Sequence, residues 1–448
     1  VATPRYFFGE SPTSAFGDDP LNFRWSLPSG FPWLTIEAGA GMPAAYHHRT
    51  HMEPEDMPAM HLVMLASGGN SLGYYMYHGG LNPRSRFGEA PESGLQESTF
   101  QGDEWQNGLP TKSYDYFAPL GELGQPRRHY HQMRQLHLFL RDFGDGLAAM
   151  RLSMPEDAPE GTDDVDRLRW AVRSNGEAGF VFFNNHQRLT DLSAKKNVRF
   201  NIELATGERL SIPSETSEAV TIEDHTWGHW PFNLAVESTV LSWATAQVLC
   251  RVSSGEDETT VVLVATPGIK PELAVESAKA VSVTAAKGVM SEEGRRYLVR
   301  DILPGYDVAV SAKTSDGKTV RFIVLPADKA TSVWKGELNG KDTLVVSTAS
   351  LVLHDGNQLH LRDQEKDVYV SLLPAPATLH QGEKALTPSS KGAFTSYTVR
   401  MPSPPSLRVQ ATPEREAGPA RTVLTSNRTG AAQEPSAEDW EAAAEWKL

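Results

Sequence analysis

Phe31-Pro-Trp-Leu-Thr-Ile-Glu-Ala38 (FPWLTIEA) decides how the first third of this chain reads. A short apolar run of this kind suits a buried strand of a parallel sheet. It ends on an acidic residue followed closely by Gly39 and Gly41. A helix is expected next, over Pro58 to Ala66. Pro58 fits a first-turn position behind the negative charges of Glu55 and Asp56, and Ala59, Leu62, Val63 and Ala66 recur at helical spacing until Gly68-Gly69 stops it. Ser71 to Tyr77 (SLGYYMY) reads as the next strand, and its alternation puts Tyr75 and Tyr77 on one face and Tyr74 on the other. A Gly/Pro/Ser-rich loop covers about Gly79 to Thr111, and loops this long inside compact domains are usually functional. A second helix is expected from Pro126 to about Asp142, with Tyr130, Met133, His137 and Leu140 on one face and Gly144 closing it. Strand, helix, strand, loop, helix is a βαβα pattern, the end of a wound parallel sheet or barrel.

After about Leu147 the character changes. Leu168–Val172, Gly179–Phe183, Val198–Leu204 and Thr259–Val264 are β-branched and aromatic runs, and turn signals separate such runs at Ser174-Asn175-Gly176, Thr206-Gly207, Ser315-Asp316-Gly317 and Asp355-Gly356-Asn357. This predicts antiparallel β-sandwich-like structure up to about Ala375. Beyond it, clustered Pro and Ser predict a linker or irregular strands, with a short helix over Ala437–Trp446. The expected organisation is 1–146 for the α/β part, 147–255 and 256–376 for two β-rich domains, and 377–448 for a Pro/Ser-rich linker and the start of a further domain.

The chain has 448 residues, 40% of them apolar and 22% charged, an ordinary globular balance. Its net charge of −14 argues against binding to nucleic acid phosphates. No run of about 18 apolar residues exists to span a membrane as a helix. Cys250 is the only cysteine, which excludes an intrachain disulfide and a cysteine-based zinc site.

The candidate chemistry starts at Glu37. The C-terminal ends of barrel strands face the active site, so a carboxylate there sits on a rigid element beside a glycine-rich turn. Glycoside cleavage needs such an anion beside an oxocarbenium-like transition state. The competing reading is a loop-capping glutamate, or one paired with Arg24 or Arg49. Tyr74, Tyr75 and Tyr77, then Tyr114-Asp115-Tyr116, supply rings with an apolar body and a polar tip, suited to a sugar and equally to a core. His47, His48, His51 and Glu53 form a polar cluster without helical metal-ligand spacing, so no metal is expected. His225-Thr-Trp-Gly-His-Trp230 could present a carbohydrate face or pack the β region onto the α/β part.

Taken together, Trp33-Leu-Thr-Ile-Glu37, Gly69-Asn-Ser-Leu-Gly-Tyr-Tyr-Met-Tyr-His-Gly-Gly80 and Ser113-Tyr-Asp-Tyr-Phe-Ala-Pro-Leu120 resemble glycoside hydrolase family 35, the β-galactosidase family. Arg134–Arg141 resembles the helix that ends the family's barrel, and Gly179–Arg188 with Trp230–Leu234 looks like its first β domain. The resemblance implies a multidomain α/β plus all-β fold: a partial (β/α)8 TIM barrel, its last strands, followed by antiparallel β-sandwich-like domains. It implies a retaining exo-β-galactosidase acting on terminal β-galactosyl residues of an oligosaccharide or polysaccharide, without a cofactor. By position, Glu37 matches the nucleophile and Tyr75 a galactose-contacting tyrosine. Tyr114 and Tyr116 fall in the loop that closes the pocket, either being able to do so. The small Ala38-Gly-Ala-Gly41 departs from the aromatic residues that often follow the family's nucleophile, which puts leaving-group specificity in doubt. The family's acid/base lies in an Asn-Glu pair well upstream of the nucleophile. No such pair precedes Glu37, where Glu10 is the only glutamate. The expectation is that strands one to five or six lie outside this chain, and that the chain alone is inactive. Family members often act outside the cytoplasm. The alternatives are a related exo-β-glycosidase such as a β-glucosaminidase, or a non-catalytic carbohydrate-binding protein.

Overall fold

The computed structural model describes residues 32–41, 52–81, 113–159, 163–276, 279–280, 282–286, 288–402, 407–411 and 422–426. The first elements are strand β1 (Trp33–Gly39), helix α1 (Asp56–Ala66), strand β2 (Gly69–Tyr75), the short strands β3 (Gly80–Leu81) and β4 (Ser113–Tyr114), and helix α2 (Arg128–Ala148). β1 and β2 pair in parallel, so β1–α1–β2 is a βαβ unit, as the sequence pattern predicts. α1 starts at Asp56, two residues before Pro58, and every one of its residues is buried. Apart from Asp56 and His61 its sequence is apolar on all sides, as suits a helix enclosed by protein.

Two expectations need correction. α2 does not close at Gly144; it runs to Ala148, with Gly144 and Gly146 inside it. Its last turns carry Phe143 and Leu147, both buried in the same cluster as Phe139, and this packing outweighs the roughly 1 kcal/mol helix cost of each glycine. β2 ends at Tyr75, where the chain turns at Met76, so period-2 alternation does not reach Tyr77. Tyr77 instead packs with Tyr74, ring centroids 5.4 Å apart, against α2.

The rest is strand-rich and largely antiparallel. An eight-stranded sheet has the order Val289–Glu293, Arg296–Arg300, Leu273–Glu276, Thr239–Ala244, Thr226–Val236, Gly179–Asn185, Arg169–Ser174, Arg151–Ser153. A five-stranded sheet follows the order Ala246–Ser253, Glu258–Ala265, Thr319–Leu325, Val308–Lys313, Ser282–Ala285; its second and third strands are parallel. Another five-stranded sheet runs from Val333–Leu338 to Ser389–Lys391, and Phe394–Arg400 pairs within it, so the stretch after Ala375 carries strands up to residue 400. The four turn signals all fall between paired strands, with Gly176, Gly207, Gly317 and Gly356 at positive φ. The expected helix at Ala437–Trp446 lies outside the described residues.

α2 is the wedge between the two regions. Phe139 and Phe143 join a core with Phe180 and Phe182 of the eight-stranded sheet and Phe322 of the first five-stranded sheet. Leu138 points into the next core, with Leu249, Cys250, Val262 and Leu344. Buried charges fasten the wedge. Arg173, 1% exposed, donates to Leu65 O at the end of α1 (2.6 Å), to Leu147 O at the end of α2 (2.8 Å) and to Met150 O (2.9 Å). A guanidinium there answers carbonyls that two helix ends leave open. Lys335, with its side chain 3% exposed, meets Asp142 of α2 at 2.6 Å, and Asp142 also accepts the Arg251 backbone N–H at 2.7 Å. Arg134 donates to Val333 O at 3.1 Å and lies 3.3 Å over the Trp334 ring.

Candidate active site

Glu37 sits in an irregularity of the β1–β2 ladder. Between Thr35 and Ala38 β1 advances three residues while β2 advances two, from Leu72 to Tyr74, so β1 carries a bulge over residues 36 and 37. Bulges re-aim side chains and recur beside active sites. The Glu37 side chain is exposed, whereas Ala38 and Ala40 are fully buried. Arg24 and Arg49, the arginines with which Glu37 might have paired, lie outside the described residues.

Past the bulge β1 lays its backbone along the end of β2. Gly39 is the ladder partner of Tyr75, and the Ala40 N–H donates to Tyr75 O at 3.2 Å. At Gly41 any Cβ would collide with the carbonyl oxygen of Tyr116, so this glycine lets the strand end press against the Tyr114–Phe117 turn. Tyr116 and Phe117 both hold positive φ, 54° and 50°. The result brings Tyr75 and Tyr116 edge-to-face, ring centroids 5.8 Å apart at 88°. Glu37, Tyr75 and Tyr116 therefore gather at one end of the parallel pair. Tyr114 returns there as well: β4 pairs with β3, Tyr114 opposite Gly80, so the loop between residues 81 and 113 leaves and re-enters at one place. Its side chain is not among those described.

Asp115, between the two tyrosines, does not reach for a ligand. It accepts the Glu122 N–H at 2.8 Å and pairs with Arg127 at 2.6 Å, while Arg127 also donates to Ala118 O at 2.6 Å. His129 hydrogen-bonds Phe117 O at 3.0 Å and stacks on the Phe117 ring. These bonds, made by residues just before and at the start of α2, hold the left-handed turn that presents Tyr116.

Tyr74 and Tyr77 belong to packing. Tyr74 bonds His137 of α2 through its hydroxyl (2.8 Å) and meets the His61 ring edge-on. Burial raises both phenol pKa values, so they stay protonated, and burial pulls His61 down to about 3, so it stays neutral. His225–Trp230 likewise serves packing for the most part. Trp230 is fully buried and bonds Thr266 Oγ1 at 2.9 Å; His229 stacks on Phe139 and is pulled by burial to about 4. His47, His48 and His51 lie outside the described residues. Among the described residues one other grouping has metal-ligand composition, Asp191, Asp224 and His225, with donor atoms within 4.8 Å of one another. Asp224 already accepts the N–H groups of Leu192 and His225.

Sequence reasoning missed the clamp at the start of α1. Asp56 reads as a helix-start charge, yet it is 1% exposed, accepts the Glu53 N–H at 3.0 Å and meets His186 at 3.0 Å and Arg188 at 3.6 Å. The signal available was Asn184-Asn185-His186, polar residues closing a run of aromatics, which had to find buried partners.

A parallel strand pair with helices behind it, an exposed carboxylate in a bulge and an edge-to-face tyrosine pair thus lie at one end of the α/β layer. Residues 14–140 match the model of the family described as Glycosyl hydrolases family 35. No curated protein matches the chain.

Proposed function

We propose that this chain carries the nucleophile half of a retaining exo-β-galactosidase. The observation that carries the reading is the exposed Glu37 carboxylate in the β1 bulge, at the end where Tyr75 and Tyr116 meet edge-to-face. In this reading a Glu37 oxygen attacks the anomeric carbon of a terminal β-galactoside. The bond from that carbon to the leaving oxygen breaks as the sugar–carboxylate bond forms. The leaving oxygen takes a proton from a second carboxylic acid roughly 5–5.5 Å away, which then serves as base for the water that releases galactose. Tyr75 and Tyr116 wall the sugar, and Tyr116 is assigned the closing role, because its ring is set against Tyr75.

We place no acid/base residue in this chain. Among the described residues β1 pairs only with β2, and Leu34 on it is 59% exposed, unusual for an apolar residue of a parallel strand. Further parallel strands along that edge would complete a (β/α)8 barrel and bring the acid. Glu10, Asp18 and Asp19, the other carboxylates preceding Glu37, lie outside the described residues.

The test is turnover by the purified 448-residue chain. It should not hydrolyse p-nitrophenyl β-galactoside or lactose above the rate of the Glu37→Gln variant. Clear turnover would overturn the assignment of the acid to another segment. Turnover of p-nitrophenyl β-N-acetylglucosaminide but not of the galactoside would point to the β-glucosaminidase alternative.

A further inference from the structure

A cleft of about 950 Å³ with mixed polar and apolar walls lies where the segment before α1, the first turns of α2 and the β region meet. It is at the upper end of the size range of small-molecule pockets, which favour such junctions. Both helix N-termini open onto it, so it lies towards the end of the α/β layer at which β1 terminates. Nothing in the proposed chemistry uses it.

Its walls offer hydrogen-bonding capacity that the protein does not consume. The side-chain amides of Gln135 and Gln247 line the cleft and make no hydrogen bond among the described residues. The Gln132 carbonyl oxygen is buried without a partner, although its amide nitrogen reaches Glu55 at 3.2 Å. Gln247 is seated on Gly228: a Cβ there would stand 2.8 Å from the Gln247 amide carbon, so a larger residue would shift the amide. His131 adds a defined donor. Burial pulls it to about 4, so it is neutral at pH 7; its Nδ1 accepts from Arg134 at 3.0 Å, which leaves the proton on Nε2. Trp227, half-buried, supplies an indole. At the rim Arg128 pairs with Glu55 and Lys329 with Asp328, each at 2.8 Å, which leaves the acidic Glu53 to disfavour an anionic ligand. Amides that donate and accept, a neutral imidazole and one aromatic plate suit a ligand dense in hydroxyl groups and without charge.

We propose that this cleft is a second saccharide site, which binds a neutral oligosaccharide through Gln135, Gln247 and Trp227 independently of Glu37. A site of this kind holds a polysaccharide to the protein while its end is processed elsewhere.

The experiment is titration calorimetry of the 448-residue protein with cellotetraose, maltotetraose and β-1,4-galactotetraose, and with tetragalacturonate as the charged control. At least one neutral tetrasaccharide should bind saturably and more tightly than the galacturonate. The Gln135→Ala/Gln247→Ala double variant, folded by circular dichroism, should weaken it about tenfold or more, as expected for roughly 1 kcal/mol per lost hydrogen bond. Glu37→Gln should bind as the parent does, which separates this site from the proposed catalytic one. No saturable binding below about 10 mM, a value set by the millimolar floor of specific recognition, would overturn the proposal. So would affinity unchanged in the double variant, lost in Glu37→Gln, or greatest for tetragalacturonate.

Discussion

The α/β layer and the β region that follows it are built in opposite ways. In the β region the large sheets hold eight and five strands, and their inner side chains fill continuous cores around Phe183, Trp230 and Phe322. In the α/β layer β1 and β2 form a pair of their own, Leu34 and Glu37 stay exposed, and the turn at Tyr116 and Phe117 holds positive φ. The layer is braced from outside, by Arg173 across both helix ends and by Lys335 on Asp142. The lesson is a contrast in construction: the β region closes large continuous cores, and the layer it braces leaves strand ends and side chains exposed.

Cutting a brace should do the most damage. Lys335→Met leaves Asp142, with its side chain 7% exposed, as a buried carboxylate whose ammonium partner is gone. The expected loss is about 3–5 kcal/mol in urea unfolding. A loss below about 1 kcal/mol would mean that the two regions hold together by apolar packing alone, on the scale where exposed ion pairs contribute.

Acid should act next, and through both sides of the contrast. His61 in α1 and His229 in the β region are fully buried and pulled by burial to about 3 and about 4, from 6.5. In the unfolded chain they take up protons as pH falls below 6.5, while in the folded chain they stay neutral. Stability from these groups is therefore complete above about pH 6.5 and declines as pH falls towards about 4. At pH 5 each contributes a loss of about 2 kcal/mol relative to pH 7. Urea midpoints at the two pH values check it, and His229→Phe, which keeps a ring against Phe139, should flatten the dependence.

How much of this was legible in the sequence follows the same contrast. The strand–helix–strand order, Glu37 at a strand end and the four glycine turns follow from local chemistry, periodicity and left-handed backbone, and the structure carries them. Tyr77 was misplaced because alternation was extended past the turn at Met76, where the strand ends. The end of α2 was set too early because Gly144 and Gly146 look like a stop until Phe143 and Leu147 are seen to pack. Asp56, Arg173 and Lys335 could not be recognised as braces, since their partners lie 130, 108 and 193 residues away along the chain. For the candidate site the sequence named residues but not how they assemble. That Tyr116 rather than Tyr77 faces Tyr75 depends on Gly41 meeting the Tyr116 carbonyl, a contact between segments 75 residues apart in number.

The role proposed for Glu37 can be tested without relying on an acid/base residue. 2,4-Dinitrophenyl 2-deoxy-2-fluoro-β-galactoside has a leaving group that departs without protonation, and its fluorine slows release of the sugar from the enzyme. Incubation with the 448-residue chain, followed by peptide mass mapping, should find one fluorogalactosyl group on the peptide that holds Glu37, and none in Glu37→Gln. A label on a different carboxylate, equal labelling of the variant, or no label on the parent would contradict the account.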